Sequence, residues 1–255
     1  MNLYIITPAG GPQLEVFKTC ESIQAVAKEL PKIHITHYVI FNNSCSECDL
    51  TEYQEENLDI ISLSINPKGC RSTARNLGLE QIKSLPSGLV NFLDAGDLLS
   101  SSALKNIQHK NFKNTLFSCT ALIKSQKKTY IREPVSAKFI NLINPFYIGA
   151  VYLDSEIAKK VKFHTGRKED WKYWIECIQK KIEIKQVKKQ AYIYTIYSKA
   201  NHAKRKIKLY KEQYEFFRRF LKFSKYQTIL ALITHYTLQV YLWLFRQKKL
   251  PKKIY

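Results

Sequence analysis

The chain has 255 residues, 45% of them hydrophobic and 13% aromatic, with only eight glycines and eight prolines. That is enough apolar material for one large domain, or for a core domain with an appendage, and it excludes a chain disordered throughout. The formal charge of +20 is uneven: residues 199–255 hold 15 Lys and Arg against two acids, Glu212 and Glu215, so the last fifth is either a solvated face or seeks an anionic partner such as nucleic acid, anionic lipid or a phosphorylated ligand.

In chain order, residues 3–7 (LYIIT) read as a buried strand ended by the turn residues of PAGGP at 8–12. Residues 14–30 have helical spacing, with Leu14, Phe17, Ile23, Val26, Ala27 and Leu30 on one side. A second strand at 34–41 stops at Asn42-Asn43-Ser44, and 59–63 is a third short apolar run. Residues 72–84 predict a helix with Leu77, Leu79 and Ile82 inward, and 89–93 a fourth strand running into Asp94-Ala95-Gly96-Asp97. Alternation of this kind predicts an α/β layer around a largely parallel sheet. Such sheets bind ligands outside the carboxyl ends of their strands. Three polar clusters fall there: Thr7-Pro8, Asn42-Asn43, and Asp94 with Asp97.

Further on, Ser101-Ser102 caps a helix through 107, and 114–124 with 128–132 predict a hairpin. Residues 139–153 contain a turn at Asn144-Pro145 and then a strand, IGAVYL, whose Gly149 either lets a substrate near the backbone or sits in a plain core strand. GRKED at 166–170 precedes a helix carrying Trp171, Trp174, Ile175 and Ile178, and 183–187 and 191–197 read as two more strands. From 203 the chain turns basic, aromatic and helical.

Six cysteines are scattered, and Cys45-Ser-Glu-Cys48 is the one CxxC, without a second pair at zinc spacing. Reduced thiols in a cytosolic protein are therefore expected, and residues 3–6 are too short an apolar run for a secretory signal.

Asp94 and Asp97 crowd two carboxylates onto one turn, which raises a pKa unless a cation intervenes. A magnesium or manganese ion would resolve this and would also bind nucleotide phosphates; the plainer alternative is a solvated Asp-Gly turn. Arg71 and Arg75 lie one turn apart at a helix start, placed for phosphate oxygens or for a surface pair. Glu169-Asp170 opens a helix and is either a cap or a general base that takes a proton from an acceptor hydroxyl.

YIITP, VIFNNS, GCRSTARNLGLE, VNFLDAGDLLSSSAL and GRKEDWKYW, in that order, resemble the family 2 glycosyltransferases of GT-A fold, over residues 2–197. The resemblance implies a nucleotide-diphosphate sugar bound across the strand ends and a divalent metal (Mn or Mg) bridging its diphosphate. It assigns donor binding to Thr7, Pro8, Asn42, Asn43, Arg75, Asn76 and Asp94, metal to Asp94 and Asp97, and the catalytic base of an inverting transfer to Asp170. The family's Asp-Ala-Asp-Asp element here reads Asp94-Ala95-Gly96-Asp97, so its middle metal ligand is a glycine. The expected organisation is a catalytic domain at 1–198, split into a nucleotide-binding half (1–100) and an acceptor half (101–198), with a basic helical tail at 199–255. His202 stands where some GT-A enzymes supply a late metal ligand.

Residues 226–245 carry no charge over twenty positions. Gln227, Thr228, Thr234, His235, Thr237 and Gln239 gather on one side of a helix, opposite Leu232, Ile233, Tyr236, Val240 and Trp243. This predicts an interfacial helix on an anionic membrane surface, with packing against the catalytic domain or a bilayer span as the other arrangements. The whole reading is a glycosyltransferase acting on a glycan or lipid-linked acceptor in cell-surface polysaccharide synthesis, peripheral to the inner face of the membrane. A sugar nucleotidyltransferase and a non-enzymatic nucleic-acid binder are the alternatives. Neither a glycine-rich basic phosphate loop nor a nucleic-acid motif is present, so nucleic acid is not expected as a partner.

Overall fold

The computed structural model describes residues 1–42, 48–65, 69–125, 129–196, 202–245 and 247–249. The early alternation takes the form β1 (Asn2–Ala9), α1 (Gln13–Glu29), β2 (His34–Asn42), β3 (Leu58–Ile65), α2 (Arg71–Gln81) and β4 (Leu89–Phe92). These four strands are parallel, in the order β3-β2-β1-β4. β1 and β2 are buried at nearly every position because both of their faces are covered. Leu3 and Ile5 join one core with Val16 and Ile23 of α1, while Tyr4 and Ile6 join another with Ala74 and Leu79 of α2.

The chain then adds β5 (Leu98–Leu99), α3 (Ser101–Ile107), β6 (Thr115–Ser125), β7 (Thr129–Arg132), β8 (Val151–Asp154), α4 (Ser155–Ala158), α5 (Glu169–Gln179) and β9 (Glu183–Ile196). Here parallel pairing gives way. β8 lies antiparallel between β4 and β6, and β6 pairs antiparallel with β7 and parallel with β9. The sheet as a whole is mixed, and an all-parallel arrangement holds only for the strands before residue 93. β8 is entered from a short 3₁₀ turn, Ile148–Ala150, instead of a crossover helix, so it returns antiparallel. The two strands expected at 183–187 and 191–197 are one. Register irregularities opposite Cys119–Ala121 absorb the Lys188-Lys189 interruption of the apolar pattern.

The tail forms α6 (His202–Glu215), a π-helical segment (Phe216–Phe220), α7 (Lys225–Phe245) and β10 (Gln247–Lys249), which pairs antiparallel with β7. Phe216, Phe217, Ala231 and Leu232 enter the same core as Trp171, Tyr173 and Trp174. The expected division of α7 needs correction. Leu232 faces inward together with the polar Thr228 and His235. Both are satisfied there: Thr228 donates to the Ser224 carbonyl (2.8 Å), and His235 Nδ1 meets the Leu142 carbonyl (2.6 Å). Tyr226, Ile229, Leu230, Ile233, Tyr236, Val240 and Tyr241 are exposed instead. Among the described residues, no helix is long and apolar enough to cross a membrane.

Phe217 is fully buried against Trp171 and Phe223. Phe217→Ala should cost about 3–5 kcal/mol, read by chemical denaturation. A loss below about 1 kcal/mol would mean that the tail is not part of the common core.

Candidate active site

Because β1, β2 and β4 are parallel, their carboxyl ends share one rim. Two cavities open there. One, of about 230 Å³, is lined by Pro8, Ala9, Gly10, Gly11, Glu15, Asn42, Cys70, Arg71 and Asp94, among others. The other, of about 390 Å³, is lined by Arg71, Arg75, Asp94, Asp97, Arg132, Asn144, Tyr147, Glu169, Asp170, Tyr192 and Tyr194, with Phe146 and Ile148. Arg71 and Asp94 line both.

The turn after β4 is fixed from below. The Asp97 N–H donates to the Asp94 carbonyl (3.0 Å), and Gly96 at the third position has φ +93°, the conformation that a type II turn reserves for glycine. Buried Thr19 on α1 ties it down, accepting from Gly96 N–H (3.0 Å) and donating to the Asp97 carbonyl (2.9 Å). Gly96 is therefore a backbone requirement of this turn.

Asp94 is gripped by two arginines from the first turns of α2. Arg75 Nη2 lies 2.6 Å from its Oδ1, and Arg71 Nη1 lies 3.4 Å from its Oδ2. Arg75 is 1% exposed. Its other terminal nitrogen reaches Glu169 Oε1 at 3.3 Å, and its guanidinium packs 5.2 Å from the Phe163 ring centroid. Asp97 is buried, and burial, then the nearby Asp94 carboxylate, push it up to about 8. Among the described residues no group of three or more His, Cys, Asp or Glu side chains could by itself hold a metal ion.

The adjacent acids at the start of α5 differ. Glu169 is committed to Arg75, whereas Asp170 accepts from a neutral amide, Asn144 Nδ2, at 2.8 Å. Burial first, and then Glu169, raise Asp170 above the usual carboxylate range, while Arg75 opposes the shift. A carboxylate made more basic and held by a neutral donor is suited to accepting a proton.

Other expected site residues are placed elsewhere. Thr7 is buried and shares a hydrogen bond with His37 (Oγ1···Nε2 2.8 Å), whose ring burial keeps neutral by pushing it down to about 3. Both ends of the Asn76 amide are spent on Phe163: Nδ2 donates to its carbonyl (2.9 Å) and Oδ1 accepts from its N–H (2.7 Å). Asn43 and Cys45 lie outside the described residues, as does the side chain of His202. A Cβ on Gly149 would meet the Tyr192 ring at 2.6 Å, so that space is taken by core packing. Arg132, Tyr192 and Tyr194 gave no sequence signal, being single residues among many cations and tyrosines. Asn144 was visible only as a turn residue.

No family model matches the chain, and no curated protein matches it in sequence. Solved structures do. S. aureus TarS 1-349 superposes with a TM-score of 0.56 at 16% identity, covering 92% of this chain and 71% of that one. Its complex with UDP-GlcNAc gives 0.56 at 15%, covering 92% and 72%. The mannosyltransferase PcManGT from Pyrobaculum calidifontis, in complex with GDP-Man and Mn2+, gives 0.62 at 12%, covering 95% and 75%. The fold is thus the mixed α/β fold of these glycosyltransferase structures.

Since its folded pKa lies above its unfolded one, Asp97 retains a proton between about pH 4 and pH 8 that the unfolded chain has released. Its contribution to stability therefore falls as pH rises through that window, by at most about 1.4 kcal/mol per unit. Asp97→Asn should remove this slope, so the variant gains melting temperature relative to wild type between pH 5 and pH 9. Parallel curves for the two proteins would show that Asp97 is not buried as described.

Proposed function

We propose that the protein is a glycosyltransferase that moves a sugar from a nucleotide-diphosphate donor to a hydroxyl of a glycan or lipid-linked acceptor. The observation that carries this is the pair of cavities joined at Asp94 and Arg71, with Asp170 in the larger one. We assign the nucleotide to the smaller cavity, among Pro8, Gly10, Gly11 and Asn42. The Asn42 amide can both donate to and accept from a base. Arg71, exposed at the start of α2, reaches phosphate oxygens.

Asp94 and Asp97 would hold the magnesium or manganese ion, with diphosphate oxygens completing its shell, since such ions use one or two carboxylates plus phosphates. When bound, the ion neutralises charge on the departing diphosphate. Asp170 accepts the proton of the acceptor hydroxyl, whose oxygen bonds to the anomeric carbon as the bond to the diphosphate breaks. A single displacement of this kind inverts the anomeric centre. Asn144 orients the base, and Arg75 keeps Glu169 from competing with it.

The division into a nucleotide half (1–100) and an acceptor half (101–198) follows this placement. The exposed apolar side of α7 is suited to lipid. It presents Ile229, Ile233, Tyr236 and Val240 along one helical stripe, with exposed Arg218, Arg219, Lys222 and Lys225 just before it. We infer that the protein docks peripherally on an anionic membrane face, where surface polysaccharide is assembled.

Asp170→Asn should cut transfer by about 10²–10⁴-fold while nucleotide-sugar binding persists, measured by product formation and thermal shift. Full activity would remove Asp170 from the base role. A thermal-shift panel of nucleotide sugars, with and without manganese, should single out one donor. For the membrane, co-sedimentation with phosphatidylglycerol-containing vesicles should exceed that with phosphatidylcholine alone. Ile233→Asp should weaken it about tenfold, the worth of one buried side chain. Equal sedimentation of variant and wild type would exclude this face.

A further inference from the structure

The larger cavity contains one cation that its carboxylates do not account for. Arg75 is shared by Asp94 and Glu169, Arg71 lies beside Asp94, and Asp170 is held by an amide. Arg132, at the end of β7, has no carboxylate within ion-pair distance among the described residues. Its side-chain partner there is Tyr147: Nη1 donates to the phenol oxygen (2.5 Å), and the guanidinium lies 4.8 Å from the ring centroid. Its backbone is paired on both sides, with Ala121 of β6 and Gln247 of β10.

The phenol hydrogen bond and the ring contact together offset the rotamer entropy of holding this long side chain in place. Among the described residues, Tyr147 takes one of the five N–H donors of Arg132 and the others have no side-chain partner, and Arg132 lines the cavity that contains Asp170 and not the smaller one. Such a fork matches the paired oxygens of a phosphate or carboxylate. The segment that presents it also carries the base's amide: Asn144 bonds Asp170, and Tyr147, three residues later, bonds Arg132. Three residues span at most roughly 11 Å. A charge at Arg132 and a hydroxyl at Asp170 can therefore belong to the same or neighbouring units of one acceptor.

We propose that Arg132, presented by Tyr147, is the subsite for an anionic group, phosphate or carboxylate, on the acceptor. This rests on the glycosyltransferase reading and adds the acceptor's charge to it.

The test uses the full chain and matched probes: glycerol 1-phosphate against glycerol, and glucuronate against glucose, with binding followed by saturation-transfer NMR in the presence of UDP. The charged member of each pair should bind at least tenfold more tightly. Arg132→Gln should abolish that advantage, and Arg132→Lys should restore part of it. Equal binding of charged and neutral probes would overturn the proposal. So would an unchanged advantage in Arg132→Gln accompanied by a lowered melting temperature, which would make Arg132 a brace for Tyr147. A parallel arm compares UDP-glucuronate with UDP-glucose. If Arg132→Gln weakens only the former and leaves the glycerol 1-phosphate advantage intact, the anion belongs to the donor sugar and the acceptor assignment fails. If no nucleotide sugar binds wild type in the donor panel, the glycosyltransferase reading fails by itself, whatever the probes do.

Discussion

Arg75 joins Asp94, 19 residues away in the chain, to Glu169, 94 residues away. It does so with a guanidinium almost wholly removed from water, an expensive place for a charge unless opposite charges and hydrogen bonds meet it. Two carboxylates do. The result is a clamp between the end of β4 and the beginning of α5, so the two ends of the larger cavity are positioned by one side chain. Without it, two carboxylates would face each other across a low-dielectric gap.

The clamp also sorts the acids by task. Asp94 and Glu169 are each paired with Arg75. Asp97 and Asp170 lack such a pairing and are pushed up, chiefly by burial. Carboxylates set in different environments are the usual means by which one site both stabilises charge and moves a proton. Thr19 and Gly96 serve this division indirectly, by fixing the turn that sets Asp94 beside the arginines and Asp97 in a buried part of the same cavity.

The tail follows a different constraint. Thr228 and His235 can face the core because each finds a backbone carbonyl, that of Ser224 one turn back and that of Leu142, so they share the inward face with Leu232 while Ile229, Ile233, Tyr236 and Val240 stay outside. The apolar stripe next to a cationic segment is the surface on which the proposed membrane docking rests. The protein's +20 charge is consistent with one that is anionic.

The sequence by itself determined the elements and their polarity: the apolar runs of β1, β2 and β4, the helical spacing of α1, α2 and α5, and the placing of Pro8, Asn42 and Asp94 at strand ends. These depend on period and on local turn chemistry, which neighbouring residues decide. It also put Asp170 at the start of α5. Only tertiary structure decided that Thr7 and Asn76 point into the protein, that Tyr192 fills the space above Gly149, that the sheet becomes mixed beyond β4, and that α7 turns its histidine inward. Each of those depends on a partner distant in sequence, His37 for Thr7, Phe163 for Asn76, Leu142 for His235, and the pattern of one segment carries no information about which distant group will satisfy it.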